Sequence, residues 1–172
     1  FEWLNTLNID HAMKQYEKKY DGFKFLGAVP MDFADLPGLK MNRIDLNDLR
    51  RKGKDKLGII FNLDEHYKTG SHWVAMYADL SKRQIYYFDS YGIRPEKRVR
   101  LLIRKYASHL IEQGINFKDI KIDYNRTRHQ RENSECGVYS MNFLIRMARG
   151  DNFDELCKKP IHDRKINKCR MV

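Results

Sequence analysis

Cysteine is scarce in this chain: three residues, Cys136, Cys157 and Cys169, among 172. So small and odd a number makes no disulfide framework, and a chain of this length buries an ordinary core without staples. The thiols are therefore expected to stay reduced, in a reducing compartment. Long apolar runs are also missing. No stretch approaches the ~20 residues that cross a bilayer, and none joins a basic start, an apolar middle and a small-residue cleavage site. Neither membrane insertion nor secretion is expected. Prolines number four and glycines ten, and no Pro/Gly/Ser linker, repeat or low-complexity segment divides the sequence. One domain over residues 1–172 is expected.

What is abundant is positive charge: 33 basic against 23 acidic residues, a formal net charge of +10. It gathers at Arg50, Arg51, Lys52, Lys54 and Lys56, and again at Lys97, Arg98, Arg100, Arg104 and Lys105. Such a field attracts nucleic acid or acidic partners. No zinc finger, helix-turn-helix or aromatic RNA-binding signature accompanies it, so these clusters read first as solvated helix faces and loops, with non-specific DNA contact as the alternative. Cys157, His162 and Cys169 match no familiar zinc spacing, and no metal site is expected.

Periodicity places the elements. Residues 10–20 (DHAMKQYEKKY) read as a helix capped by Asp10, and residues 57–63 (LGIIFNL) as a strand. Residues 72–80 and 84–90 form two strand-like runs joined by a short turn, a hairpin. Residues 95–114 read as an amphipathic helix, with Pro95 in its first turn and Gly114 at its end; residues 120–124 are a further strand. From Cys136, the spacing of Val138, Met141, Leu144, Ile145 and Ala148 is helical, and Gly150 stops it. A hairpin with flanking helices is an α+β pattern.

The hairpin has a chemical consequence. His72 and Asp89 lie on one face of it, in one of two registers. A four-residue loop sets His72 directly opposite Asp89; a two-residue loop at Ser81 and Lys82 pairs Val74 with Asp89 and leaves His72 as the diagonal neighbour. Opposed side chains sit about 5 Å apart at Cβ, in reach of an imidazole–carboxylate hydrogen bond. Such an Asp fixes the tautomer and favours the imidazolium. Cys136 at a helix start gains from the unpaired N–H groups there. Each residue alone is more often structural: His72 a strand histidine, Asp89 a turn former, Cys136 core packing. Together they compose an activated thiol.

His72-Trp73, Asp89 in "YYFDSYG", and Gln130 six positions before Cys136 in "QRENSECG" resemble the signature of the papain-like cysteine proteases of the SUMO-protease/adenain superfamily. Within it, "LNIDHAMKQY", "GSHWVAMYADL" and "RHQRENSECGVYS" resemble the polyprotein proteases of African swine fever virus and other large DNA viruses. The resemblance spans nearly the whole chain and is weak around residues 30–56. It implies a papain-like fold with a central mixed or antiparallel sheet flanked by helices and the nucleophile at a helix N-terminus.

Carried onto this sequence, the resemblance implies Cys136 as nucleophile, His72 as base, Asp89 as orienting acid and Gln130 as oxyanion donor beside the Cys136 backbone N–H. Asn133 is a competing amide donor. The swine fever protease has asparagine at the orienting position, so Asp89 sides with the SUMO proteases. Trp73 would border a narrow channel that admits only glycine-like residues, and Trp3 resembles a second wall of that channel, although "TLNID" fits the same register. The expected activity is cleavage after Gly-Gly or Ala-Gly in viral structural polyproteins, without a cofactor, by a monomer in host cytoplasm or virion. The alternatives are a SUMO or ubiquitin-like isopeptidase and a non-catalytic basic nucleic-acid-binding protein.

Overall fold

A computed structural model describes residues 4–39, 41–67, 72–132 and 134–171. Five strands form one sheet in chain order: β1 (Phe23–Pro30), β2 (Lys56–Asn62), β3 (Trp73–Asp79), β4 (Gln84–Phe88) and β5 (Lys121–Tyr124). The central three are antiparallel, whereas β1 runs parallel to β2 and β5 parallel to β4, so the sheet is mixed. Parallel neighbours need a long crossover. Three short 3-10 turns and α2 (Leu46–Arg51) supply the first, and α3 (Lys97–Glu112) supplies the second.

Alternation along β3 divides the core. Trp73, Ala75 and Tyr77 face α1 (Thr6–Lys19) and α4 (Cys136–Arg149), where Met13, Phe143 and Leu144 cover them. Val74, Met76 and Ala78 face the opposite layer, packed with Leu102, Tyr106 and Leu110 of α3. Covered on both sides, β3 is buried at every position, as a central strand should be. The C-terminal helices α5 (Phe153–Lys158) and α6 (Asp163–Ile166) close the α4 side. Among the described residues no helix is long and apolar enough to cross a membrane.

Two expected helix starts are displaced. Helix α1 begins earlier, capped by Asn5, whose side chain accepts from Asn8 N–H at 2.9 Å while the Asn8 side chain accepts from Asn5 N–H at 3.0 Å. That reciprocal capping box satisfies two orphan donors, so Asp10 is free to accept from Ala28 N–H of β1 at 3.1 Å. Pro95 precedes α3 rather than opening it; Glu96 is the cap, accepting from Arg98 N–H at 2.9 Å.

Candidate active site

The hairpin pairs Asp79 with Gln84 through Ala75 with Phe88, and continuing that register levels Val74 with Asp89. His72 is therefore the diagonal neighbour, the second of the two registers. His72 lies just before β3 and Asp89 just after β4, so both stand at one end of the sheet. There His72 Nε2 and Asp89 Oδ1 are 2.7 Å apart, and both residues are buried. The Tyr91 N–H donates to the same oxygen at 2.8 Å. Asn125 then exchanges two bonds with the Asp89 backbone, accepting its N–H at 2.9 Å and donating Nδ2 to its carbonyl at 2.6 Å. The turn closes through Gly92 N–H to Asp89 O at 2.7 Å. At φ +75° a Cβ on Gly92 would sit 2.9 Å from Arg126 O, so only glycine fits.

Cys136 opens α4 and is fully buried. Its Sγ accepts from Trp73 N–H at 3.4 Å, joining the first residue of β3 to the first of the helix. Glu135, at the cap position, makes no side-chain cap. Its carboxylate instead accepts from Ser134 N–H and Oγ at 3.1 and 2.9 Å and from Asn167 Nδ2 at 3.1 Å. The first-turn N–H groups of α4 are thus not consumed by a side-chain cap, and Cys136 stands at the positive end of the helix dipole. Burial works against a charged His72 ring, but the bond to Asp89, and after it the neighbouring Cys136, outweigh that and lift its pKa to about 9. His72 Nδ1 is buried without a hydrogen-bond partner among the described residues. Cys136 thus raises the ring's pKa from close range without a fully formed N–H···S bond.

Gln130 is completely buried. Its Oε1 accepts from Ser90 Oγ at 2.6 Å and its Nε2 donates to Glu132 O at 2.6 Å, which leaves one amide proton uncommitted. The loop carrying it is pinned from the C-terminal side, where Asp163 Oδ2 accepts from Arg131 and Glu132 N–H at 2.9 and 2.7 Å. Trp73 packs on the α4 side of the sheet, as strand alternation requires, and donates Nε1–H to Leu4 O at 2.9 Å. A Cβ on Gly137 would lie 3.2 Å from Leu4 and 3.4 Å from Trp73, so the wall beside the sulfur is filled.

The structure thus brings His72, Asp89 and Cys136 together, with Trp73 against Cys136 and Gln130 bonded to Ser90, the residue after Asp89. Trp3 and Asn133 lie outside the described residues. The three thiols are free, and among the described residues no group of three or more His, Cys, Asp or Glu side chains is arranged to hold a metal ion. Sequence reasoning missed Asn125, Tyr91 and Asp163. Asn125 is legible only once β5 is known to run parallel to β4 with Tyr124 beside Tyr87. Tyr91 stacks on the His72 ring, centroids 4.6 Å apart and planes at 19°, with the Arg128 guanidinium 4.7 Å from the Tyr91 centroid.

Residues 3–171 match the family described as Ulp1 protease family, C-terminal catalytic domain. A protein of Acanthamoeba polyphaga mimivirus, named as a thiol protease, is 40% identical over 171 residues, covering 99% of this chain and 56% of its own. An African swine fever virus protein named as a SUMO-1 cysteine protease is 30% identical over 164 residues, 87% of this chain and 58% of its own. The crystal structure of the African swine fever virus protease superposes with a TM-score of 0.83 at 25% identity, covering 98% of this chain and 66% of that one. The SUMO protease Ulp1 shares the fold, with a TM-score of 0.69 at 20% identity over 98% of this chain and 74% of that one. The chain spans little more than half the length of the curated relatives it matches.

Proposed function

This chain belongs to the Ulp1 protease family, and from that premise we propose that it is the catalytic part of a cysteine endopeptidase cleaving after small residues, at Gly-Gly-X or Ala-Gly-X, in viral structural polyproteins. One observation carries the reading: the 2.7 Å bond from His72 to Asp89 beside a cysteine at an uncapped helix N-terminus. The setting is the host cytoplasm, where thiols stay reduced, or the virion.

Asp89 holds Nε2, so Nδ1 is the ring atom free to exchange a proton. The Cys136 thiolate attacks the carbonyl carbon of the residue before the scissile bond, forming a C–S bond. The oxyanion that develops takes hydrogen bonds from the Cys136 backbone N–H and the spare amide proton of Gln130. The imidazolium gives its Nδ1 proton to the leaving amine, the C–N bond breaks, and a thioester remains. Water, deprotonated by the now neutral His72, hydrolyses the thioester and restores the resting pair. The filled wall at Trp73, Leu4 and Gly137 supports selection by exclusion, since a bulky side chain has no room beside the sulfur.

A second reading, removal of SUMO-like modifiers, is favoured by the SUMO-1 cysteine protease name of the swine fever virus relative. One assay separates the two. The chain should turn over a Gly-Gly-X peptide and lose about 100-fold in kcat/KM when leucine replaces the second glycine, while Cys136→Ala is inert. Equal turnover by both chains removes the protease assignment. Labelling of Cys136 by SUMO carrying a C-terminal electrophile, without cleavage of Gly-Gly-X peptides, replaces the first reading with the second.

A further inference from the structure

A groove of about 700 Å³ lies between α3 and β5, on the sheet layer away from α4. Its floor is aliphatic, with Ile103 and Ala107 of α3 set against Tyr87 and Tyr124 of the sheet. Three large apolar side chains stay open to solvent along it: Phe117 at 62% exposure, Ile111 at 46% and Ile122 at 39%. Soluble surfaces seldom gather such residues in one concavity without a use for them. Four arginines ring the groove: Arg94, Arg100, Arg104 and Arg126.

The arginines are unequal. Arg126 pairs with Asp123 at 2.8 Å, and Arg100 donates to Pro95 O at 2.9 Å. Arg94 and Arg104 have no carboxylate partner among the described residues. Asp123 is the one acidic side chain lining the groove, so the rim carries three uncompensated positive charges around a carbon floor. A guanidinium presents a planar fork that fits a carboxylate with two parallel hydrogen bonds. A nucleic acid strand would supply phosphates but needs aromatic platforms for its bases. Here Tyr87 is buried and Tyr124 is already covered by Arg126 at 4.2 Å, so among the lining aromatics Phe117 alone is open. An aliphatic floor fits side chains better than bases.

We infer that this groove is a docking site for an acidic segment of a partner protein, with leucine or phenylalanine anchors seated on Ile103, Ala107 and Phe117 and flanking carboxylates held by Arg94 and Arg104. The inference does not depend on the proposed peptidase activity, and its test uses the Cys136→Ala chain, so catalysis does not enter the readout. The probe is a fluorescein-labelled twelve-residue peptide of aspartate and glutamate with two leucines and one phenylalanine, followed by polarisation. The expected result is saturable binding weakened at least tenfold by Arg94→Ala/Arg104→Ala, weakened similarly by Phe117→Ser, and weakened by a smaller factor by Arg94→Lys/Arg104→Lys, which keeps the charge and loses the fork. These positions are exposed, and an unchanged melting curve verifies the fold of each variant. The same peptide with lysine for every acid, or with alanine for every anchor, should bind at least tenfold more weakly. Four results overturn the inference: no binding; equal binding of the anchor-free acidic peptide; tighter, arginine-dependent binding of a twelve-nucleotide single strand; or self-association in sedimentation that Phe117→Ser abolishes, which gives the face to a second copy of this chain.

Discussion

His72 holds its proton more tightly in the folded chain than in the unfolded one. Folding raises its pKa from 6.5 to about 9, with burial opposing and the Asp89 bond leading the groups that overcome it. The charge therefore stabilises the fold in full below pH 6.5, and that contribution is lost as pH rises through about 9. In the proposed mechanism His72 must give that proton to the leaving amine, so kcat/KM for a Gly-Gly-X peptide should fall on an alkaline limb near pH 9. Asp89→Asn keeps the shape and removes the charge; its limb should move down toward 6.5, with kcat/KM reduced about 100-fold or more. An unmoved limb would show that Asp89 does not set the ring's ionisation. Tyr91 acts on the ring differently, offering its face at 4.6 Å while its backbone N–H holds Asp89. Tyr91→Ala keeps the N–H and removes the face, so kcat should drop about 3- to 30-fold, the worth of a cation–π contact. Tyr91→Phe should restore it; failure to do so would point to the hydroxyl, which reaches Glu132 O at only 3.4 Å.

At the scale of elements, the hairpin was legible as two short apolar runs on either side of a turn, and α4 from its 3.6-residue period. The candidate site residues His72, Asp89 and Cys136 could be placed because they sit at the ends of those elements. Strand β1 was not legible: Gly27 at φ +133° interrupts it, the pairing with β2 shifts between Phe25 and Gly27, and Pro30 ends it. Such a bulge breaks the alternation a reader looks for. Helix α2 is six residues long and begins just before the first basic cluster, too short to show a periodic face. The pinning of the Gln130 loop by α6 was invisible because it depends on backbone N–H groups, which every residue offers. Its consequence can be measured. Asp163→Ala frees the Arg131 and Glu132 N–H groups and removes one acceptor of the Tyr139 hydroxyl, 2.7 Å away, leaving that hydroxyl the Ile161 and His129 carbonyls. The expected loss is about 1 kcal/mol, or about 2–4 °C in Tm. The loop also carries Gln130, the proposed oxyanion donor, so kcat should fall more than KM rises. A Tm shift with unchanged kcat would make Asp163 purely structural.

Across the whole molecule, the site is assembled from two bodies that share no short stretch of chain. The hairpin end carries His72 and Asp89, while α4 and the loop before it carry Cys136 and Gln130. Their separation is set by how closely α4 sits on the sheet, and Gly58 of β2 governs that seat. A Cβ there would meet Leu144 of α4 and the Phe23 ring at 3.0 Å each. Both neighbours are fully buried in a packed layer that has little room to yield. Gly58→Ala should therefore lift the helix by a few tenths of an ångström and destabilise the fold by about 1–3 kcal/mol, the usual range for overpacking. Lifting α4 also draws Sγ from the Trp73 N–H and from the ring, so kcat/KM should fall even below the melting transition. Leu144→Val shortens the side chain and withdraws the Cδ1 methyl that Gly58→Ala would strike. In the double variant the two losses should be smaller than their sum, in Tm and in kcat/KM alike. Additive losses in both would mean that the helix seat and the sulfur's position are uncoupled, and that the site keeps its geometry without the close approach at Gly58.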